Sequence, residues 1–457
     1  MENQLVEIKE SELLNMPIDY MKLEESDFEG LEVEKTPIEL KPSGFILDSN
    51  IFNIINPNEQ NTVVINSGVG QGKSRFAVEL ATKYFGINRK KKDNYTIIFA
   101  VPYKSLISQY SDNIIQNFKK HFKTKIRIPD YNKLKLPADS HFPIHILTIN
   151  CILGNPGEDS IEQNQKKERY LNGIIDYSKR TKGKIILIFD EIHDGIGNFK
   201  QDLIFNLWKF KTSGTLHKAF ILSATFSEAS KVVIKYISEL TDKKLQIIET
   251  ERKQIKDPNK LSNLHLYITN QFHYLFNDNP LLDKYIQEII ERHDNLDILL
   301  YSQRQATKIL ETGDIRKYLI DKYSNINLCI SEENSKFLNK KDFEPVMISN
   351  KFQSNYCNIG TVFKTGINIE KKNSALIIIL PSLFAAVNYK IGIFQSIIDI
   401  TQSLARVRNK SDIYVIMPKP KRLISISKID DNQKYIQVLN KIEHLKEMPT
   451  NTAVIHR

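Results

Sequence analysis

The sequence predicts an α/β protein with two parallel sheets in tandem, preceded by a short acidic segment. Three observations lead there. Short β-branched runs alternate with stretches of helical apolar spacing, first over residues 43–245 and again over 262–418. The runs are apolar along their whole length, as strands covered on both faces must be, and such strands belong to parallel sheets. A polar stretch around 240–262 separates the two sets, and a chain of 457 residues has room for two or three domains.

Charge divides the chain unevenly. Residues 1–40 hold twelve acidic residues against three lysines, a net −9, so the remainder carries +19 of a total of +10. Residues 1–42 therefore read as an acidic N-terminal arm, and the basic body suggests a polyanionic partner. A lysine-, isoleucine- and asparagine-rich composition from an AT-rich genome is the plain alternative. Cys151, Cys329 and Cys357 form no C-x-x-C pair, which argues against a structural zinc or iron–sulfur site and fits a reducing compartment. The acidic N-terminus does not read as a signal peptide. The most apolar run, "SALIIILPSLFAAV" at 374–387, is too short to span a bilayer and is broken by Pro381, so no membrane association is expected.

The first element is "TVVIN", a strand leading into "SGVGQGKS" at 67–74, followed by "SRFAVELATKYF" with helical spacing at Phe76, Leu80 and Tyr84. A glycine-rich loop between strand and helix is the setting of a phosphate-binding P-loop. Gly68, Gly70 and Gly72 let backbone N–H groups curl around phosphates, and the helix N-terminus adds its dipole. Lys73 would reach the β- and γ-phosphates of ATP, and Ser74 would ligate Mg²⁺. Ser67 stands where the pattern G-x-x-x-x-G-K-[ST] has its first glycine.

The strands "YTIIFAVP" and "HILTIN" follow, then "KIILIFDEIHD" at 184–194, an apolar strand ending in carboxylates. Asp190 at its tip would hold the metal, and Glu191 would deprotonate the attacking water. "KAFILSAT" places Ser223 and Thr225 directly after another strand.

With these segments in order, the sequence resembles superfamily 2 helicases and translocases of the DExH type, over roughly residues 45–418. The resemblance implies two RecA-like domains that sandwich ATP while nucleic acid crosses both. "SGVGQGKS" is similar to motif I, "DEIH" to motif II and "SAT" to motif III. His193 would couple the ATP site to Gln402 and to the SAT loop. "FAVPYKSLISQY" at 99–110 resembles motif Ia, offering Pro102 and Lys104 to nucleic acid. "LTIN" offers Thr148. In the second half, "LLYSQRQA" resembles motif IV, with Ser302 and Gln303 at the strand tip. "IGTVFKTGINI" resembles motif V, with Thr361 and Thr365 toward nucleic acid and Gly366 and Asn368 toward the nucleotide. "QSLARVRNK" resembles motif VI, supplying Gln402, Arg406 and Arg408.

Motif VI departs from its pattern. Ala405 replaces a glycine, and the two arginines are two residues apart instead of three. On a helix, positions i and i+2 do not share a face, so a single arginine would reach the γ-phosphate. The run is also similar to that of herpesvirus-type origin-binding helicases and related mobile-element proteins.

The expected function is an ATP-dependent helicase or translocase requiring Mg²⁺, with single-stranded DNA favoured and RNA open. A nucleotide-gated clamp that hydrolyses slowly and does not unwind is the alternative; a small-molecule kinase fits the SAT and motif VI segments poorly. The N-terminal arm and a helix within residues 419–457 are candidate surfaces for a protein partner. The cytoplasm of a bacterium, or of the host of a phage or mobile element, is the expected setting.

Overall fold

The computed structural model describes residues 23–91, 94–123, 126–129, 141–153, 161–196, 199, 205–226, 228–250, 262–269, 280–311, 313–331, 335–363, 367–380, 403–404 and 406–418. One compact unit spans Asp19–Gln254, and Ile255–Arg457 belongs to a second.

The first unit is one parallel sheet. Its strands are β1 (Glu32–Ile38), β2 (Asn61–Asn66), β3 (Tyr95–Val101), β4 (Ile144–Thr148), β5 (Lys184–Asp190), β6 (Leu216–Ser223) and β7 (Lys244–Thr250). They lie in the order β1-β7-β2-β6-β5-β3-β4. Successive side chains point to opposite faces, so the sheet separates two cores. Val64, Ile98, Leu187 and Ile221 enter one, and Val63, Ile97, Ile186 and Phe220 the other. Helix Lys73–Lys91 covers the second core through Phe76, Leu80 and Tyr84. Helix Lys104–Phe122 joins it through Tyr110, Ile114 and Phe118. Helix Glu228–Leu240 covers the first through Val233, Ile234 and Ile237. Full burial of each large apolar side chain contributes about 1.5–3 kcal/mol.

The acidic segment differs in part from the arm expected of it. Residues 1–22 lie outside the described residues. Beyond them, Glu25–Phe28 is a 3₁₀ turn that buries Phe28, and Glu32–Ile38 is the edge strand β1, paired with β7 from Glu32↔Lys244 to Ile38↔Thr250. Its charges are compatible with pairing because an edge strand is half solvated, and an edge also tolerates Pro37. Lys35 reaches both Glu24 and Glu249 at 3.1 Å, and Lys231 meets Asp27 at 2.8 Å.

The second unit repeats the plan. Its parallel strands are β8 (Asn263–Thr269), β9 (Asn295–Leu300), β10 (Ile326–Cys329), β11 (Met347–Ser349), β12 (Cys357–Gly360), β13 (Ser374–Ile379) and β14 (Asp412–Pro418), in the order β11-β10-β12-β9-β13-β14-β8. Ile298, Leu300, Ile377 and Ile379 fill one face, and Leu299, Leu376, Ile378 and Val415 the other. β12 ends at Gly360, where a Cβ would sit 1.9 Å from the Cys329 carbonyl oxygen, so only glycine permits that approach. Among the described residues no helix is long and apolar enough to cross a membrane.

Candidate nucleotide site

In the first unit β2, β6 and β5 are adjacent and parallel, so their carboxyl ends share one sheet edge. Asn66 pairs with Ser223, and Asp190 with Leu222. The glycine loop, the SAT segment and the acidic pair are thereby neighbours, at the edge where open α/β sheets bind ligands.

The loop between β2 and helix Lys73–Lys91 turns through Gly70 (φ 81°) and Gly72 (φ 85°), conformations that side chains rarely adopt. Lys73 is buried beneath it, its ammonium donating to the carbonyls of Gly68 at 3.0 Å and Ser67 at 3.1 Å. Gln71 Oε1 accepts from Gly68 N at 2.7 Å and from Thr250 Oγ1 at 2.6 Å, tying the loop to the end of β7. Ser67 is fully buried, and its hydroxyl lacks a hydrogen-bond partner among the described residues. The site therefore accepts a small side chain at this position without using its oxygen.

Ser74 is exposed at the helix start, and Asp190 is buried at the tip of β5. Asp190 meets a residue that the motif reading passed over. Tyr110 donates its hydroxyl to Asp190 Oδ2 at 2.5 Å. Burial first, then the charge of Asp190, pushes the Tyr110 hydroxyl well above the ordinary tyrosine value, so it stays a proton donor. Phe45 was also missed. It is 39% exposed, and its ring edge lies 3.3 Å from where a Cβ on Gly72 would sit. Neither residue belongs to a short motif, so only the fold reveals them.

Glu191 holds a left-handed backbone (φ 49°, ψ 52°), and its N–H donates to the Leu222 carbonyl at 2.9 Å. A glutamate there is strained by about 1 kcal/mol or more, a cost that concentrates at functional sites. Ser223 Oγ donates to the Thr225 carbonyl at 2.9 Å and accepts Thr225 N–H at 3.1 Å, so the SAT segment is a closed turn. His193 lies in the turn Ile192–Gly195, and its side chain is outside the described residues.

The expected nucleic-acid contacts of this unit follow β3 and β4 at the same sheet edge. Lys104 is exposed and Pro102 half-buried. Thr148 is buried, and its hydroxyl accepts Cys151 N–H at 3.2 Å, which turns it inward.

In the second unit, Ser302 accepts Gln305 N–H at 3.4 Å and so caps helix Gln303–Glu311, which begins with Gln303. Thr361 follows β12, its N–H donating to the Cys329 carbonyl at 3.0 Å. Thr365, Gly366 and Gln402 lie outside the described residues. The arginines of 406–408 are not on a helix, contrary to the premise of the sequence reading. Ile369 and Val407 form a parallel bridge, with Ile369 N–H donating to Arg406 O at 2.8 Å and Arg408 N–H to Ile369 O at 3.0 Å. Burial, then the neighbouring Arg406 charge, holds Arg408 below the ordinary arginine value. Arg408 Nε donates to Asn368 Oδ1 at 2.9 Å, joining motifs V and VI.

Lys73, Ser74, Asp190 and Glu191 together provide what a magnesium-bound nucleotide requires. They offer an ammonium under a phosphate-sized loop, a hydroxyl and carboxylate for a hard cation, and a second carboxylate beside them. Among the described residues no cluster of three or more His, Cys, Asp or Glu could hold a metal by itself.

The fold and this site define a P-loop protein with two tandem RecA-like domains. Residues 48–233 match the DEAD/DEAH box helicase family. The first unit is thus similar over most of its length to a DEAD/DEAH box helicase domain. A structure of the DEAD-box helicase Mss116, bound to single-stranded RNA and UDP-BeF, aligns with a TM-score of 0.52 at 11% identity, covering 93% of this chain and 82% of that one. The helicase Lhr of Mycobacterium smegmatis, bound to single-stranded DNA and AMP-PNP, aligns with a TM-score of 0.46 at 15% identity over 79% of this chain. The DUF1998 helicase MrfA, bound to DNA, aligns with a TM-score of 0.48 at 14% identity over 87%. The chain spans 44% of the Lhr chain and 48% of the MrfA chain. No curated protein sequence matches it.

Proposed function

We propose that the chain is a nucleic-acid-stimulated ATPase that moves along or unwinds nucleic acid, with single-stranded DNA favoured over RNA. The observation that carries this is the meeting of Lys73, Ser74, Asp190 and Glu191 at one sheet edge, beside the motif Ia segment at Pro102 and Lys104.

Lys73 exchanges its two carbonyl partners for phosphate oxygens. Ser74 and Asp190 would hold Mg²⁺, which when bound would supply Lewis-acid charge to those oxygens. Glu191 orients the attacking water and takes its proton. Phe45 offers its exposed ring to the base. The resemblance assigns Arg406 and Arg408 to the γ-phosphate, and because they are not on a helix the helical spacing argument does not apply to them. Backbone contacts from Pro102, Lys104, Thr361 and Thr365 give little base specificity. The preference for DNA rests on the motif VI resemblance, and a bacterial or mobile-element cytoplasm is the setting that fits the composition.

The test is steady-state ATP hydrolysis without nucleic acid, with single-stranded DNA and with single-stranded RNA, at two salt concentrations. Stimulation by DNA that weakens at high salt is the expected result. Lys73→Ala and Glu191→Gln lower turnover by about 10²-fold or more. Normal turnover in either variant overturns the reading.

A further inference from the structure

We propose that Tyr110 is a positioning residue for the metal ligand Asp190 of this site. Its hydroxyl fixes the carboxylate in the orientation that Mg²⁺ requires. The inference rests on the nucleotide-site reading above and adds a residue outside its motifs.

Three observations carry it. The hydroxyl lies 2.5 Å from Asp190 Oδ2, an oxygen of the proposed ligand. Tyr110 and Asp190 come from separate elements, helix Lys104–Phe122 and the end of β5, and nothing in local sequence sets their spacing. Tyr110 itself is held firmly. It is 2% exposed, its ring packs against Phe99 at 5.2 Å, and it shares a core with Leu106 and Ile114.

A buried carboxylate at a strand tip has a nearly free terminal torsion unless something binds it. A rigid phenol donating to Oδ2 stops that rotation before the metal arrives. Oxygen ligands that are already oriented bind a small, geometry-demanding cation more tightly, and losing such an outer partner typically costs 10–100-fold in metal affinity. The hydroxyl, on helix Lys104–Phe122, donates to Asp190 and not to a residue of the phosphate loop, so nucleotide affinity without metal does not depend on it.

The experiment compares wild type with Tyr110→Phe, which keeps the ring and its packing. Binding of AMP-PNP is measured by calorimetry in EDTA and across a Mg²⁺ titration, with thermal unfolding as a fold control. The expected result is a half-saturating Mg²⁺ concentration raised about tenfold or more. Affinity in EDTA and the unfolding temperature stay close to wild type. Placed on Asp190→Asn, the Tyr110→Phe change adds little, because the two act as one unit. An unchanged Mg²⁺ requirement overturns the inference, as does an equal loss of affinity with and without metal, which marks a role in packing alone. If wild type itself shows no Mg²⁺-dependent nucleotide binding, the nucleotide-site reading fails and the role of Tyr110 with it.

Discussion

Arg408 Nε donates to Asn368 Oδ1 at 2.9 Å, joining two stretches forty residues apart in sequence. The backbone bridge between Ile369 and Val407 lies alongside this bond. The guanidinium is therefore aimed by a side chain from motif V.

If both arginines serve the γ-phosphate, Arg406→Ala and Arg408→Ala each lower kcat by about 10³-fold. Asn368→Ala lowers it by about tenfold, since a hydrogen bond to a charged group is worth roughly 1.5–3 kcal/mol and the guanidinium keeps its charge. Single-turnover hydrolysis measures all three. A normal rate in one arginine variant returns the assignment to a single finger.

Glu191 presents a second contrast. Glutamate pays for its left-handed backbone, whereas glycine adopts it freely but loses more chain entropy on folding. Glu191→Gly is expected to be neutral or stabilising by up to about 1 kcal/mol while abolishing hydrolysis. Urea unfolding with an ATPase assay on the same preparation checks both parts. Marked destabilisation would show that Glu191 supports the fold, not the chemistry.

Lys218 sets a pH dependence in the alkaline range. It is fully buried in β6 with its ammonium on Asn61 Oδ1, and burial pulls it down to about 8, opposed by Glu59. Between that value and the ordinary 10.5, the unfolded chain keeps a proton that the folded chain has lost. Stability therefore rises with pH through this window and gains nothing from Lys218 below it. The shift corresponds to about 3 kcal/mol at most. Lys218→Met is expected to be the more stable protein at pH 7, with an advantage that shrinks toward pH 10.5. Denaturant unfolding of both proteins at the two pH values tests it, and a constant difference would remove Lys218 as the source.

The sequence made the parallel sheets legible because fully buried strands are apolar from end to end. "TVVIN", "KIILIFD" and "SALIII" leave little room for another reading, and each is a strand. Lys73, Ser74, Asp190 and Glu191 could be singled out because the proposed chemistry needs those residue types next to a strand end, and the structure places them at one sheet edge. β1 was hidden because an edge strand half in water looks like an acidic loop. Tyr110 and Phe45 were hidden because their roles depend on three-dimensional neighbours. The helical assumption about 406–408 failed because the pairing of Val407 with Ile369 is a long-range backbone event, which local spacing does not encode.

The place of β1 sets an order of assembly. In space β7 lies between β1 and β2, so Glu32–Ile38 has no neighbour to pair with until Lys244–Thr250 has been made. At ribosomal speeds of roughly 5–20 residues per second, that delay is on the order of ten to forty seconds. Throughout it the nascent chain carries an unpartnered strand. Glu32, Glu34 and Lys35, which read as arm-like charges, are the residue types that discourage such a strand from pairing with another chain. The acidity of this segment thus protects the nascent protein while its first strand waits for its last.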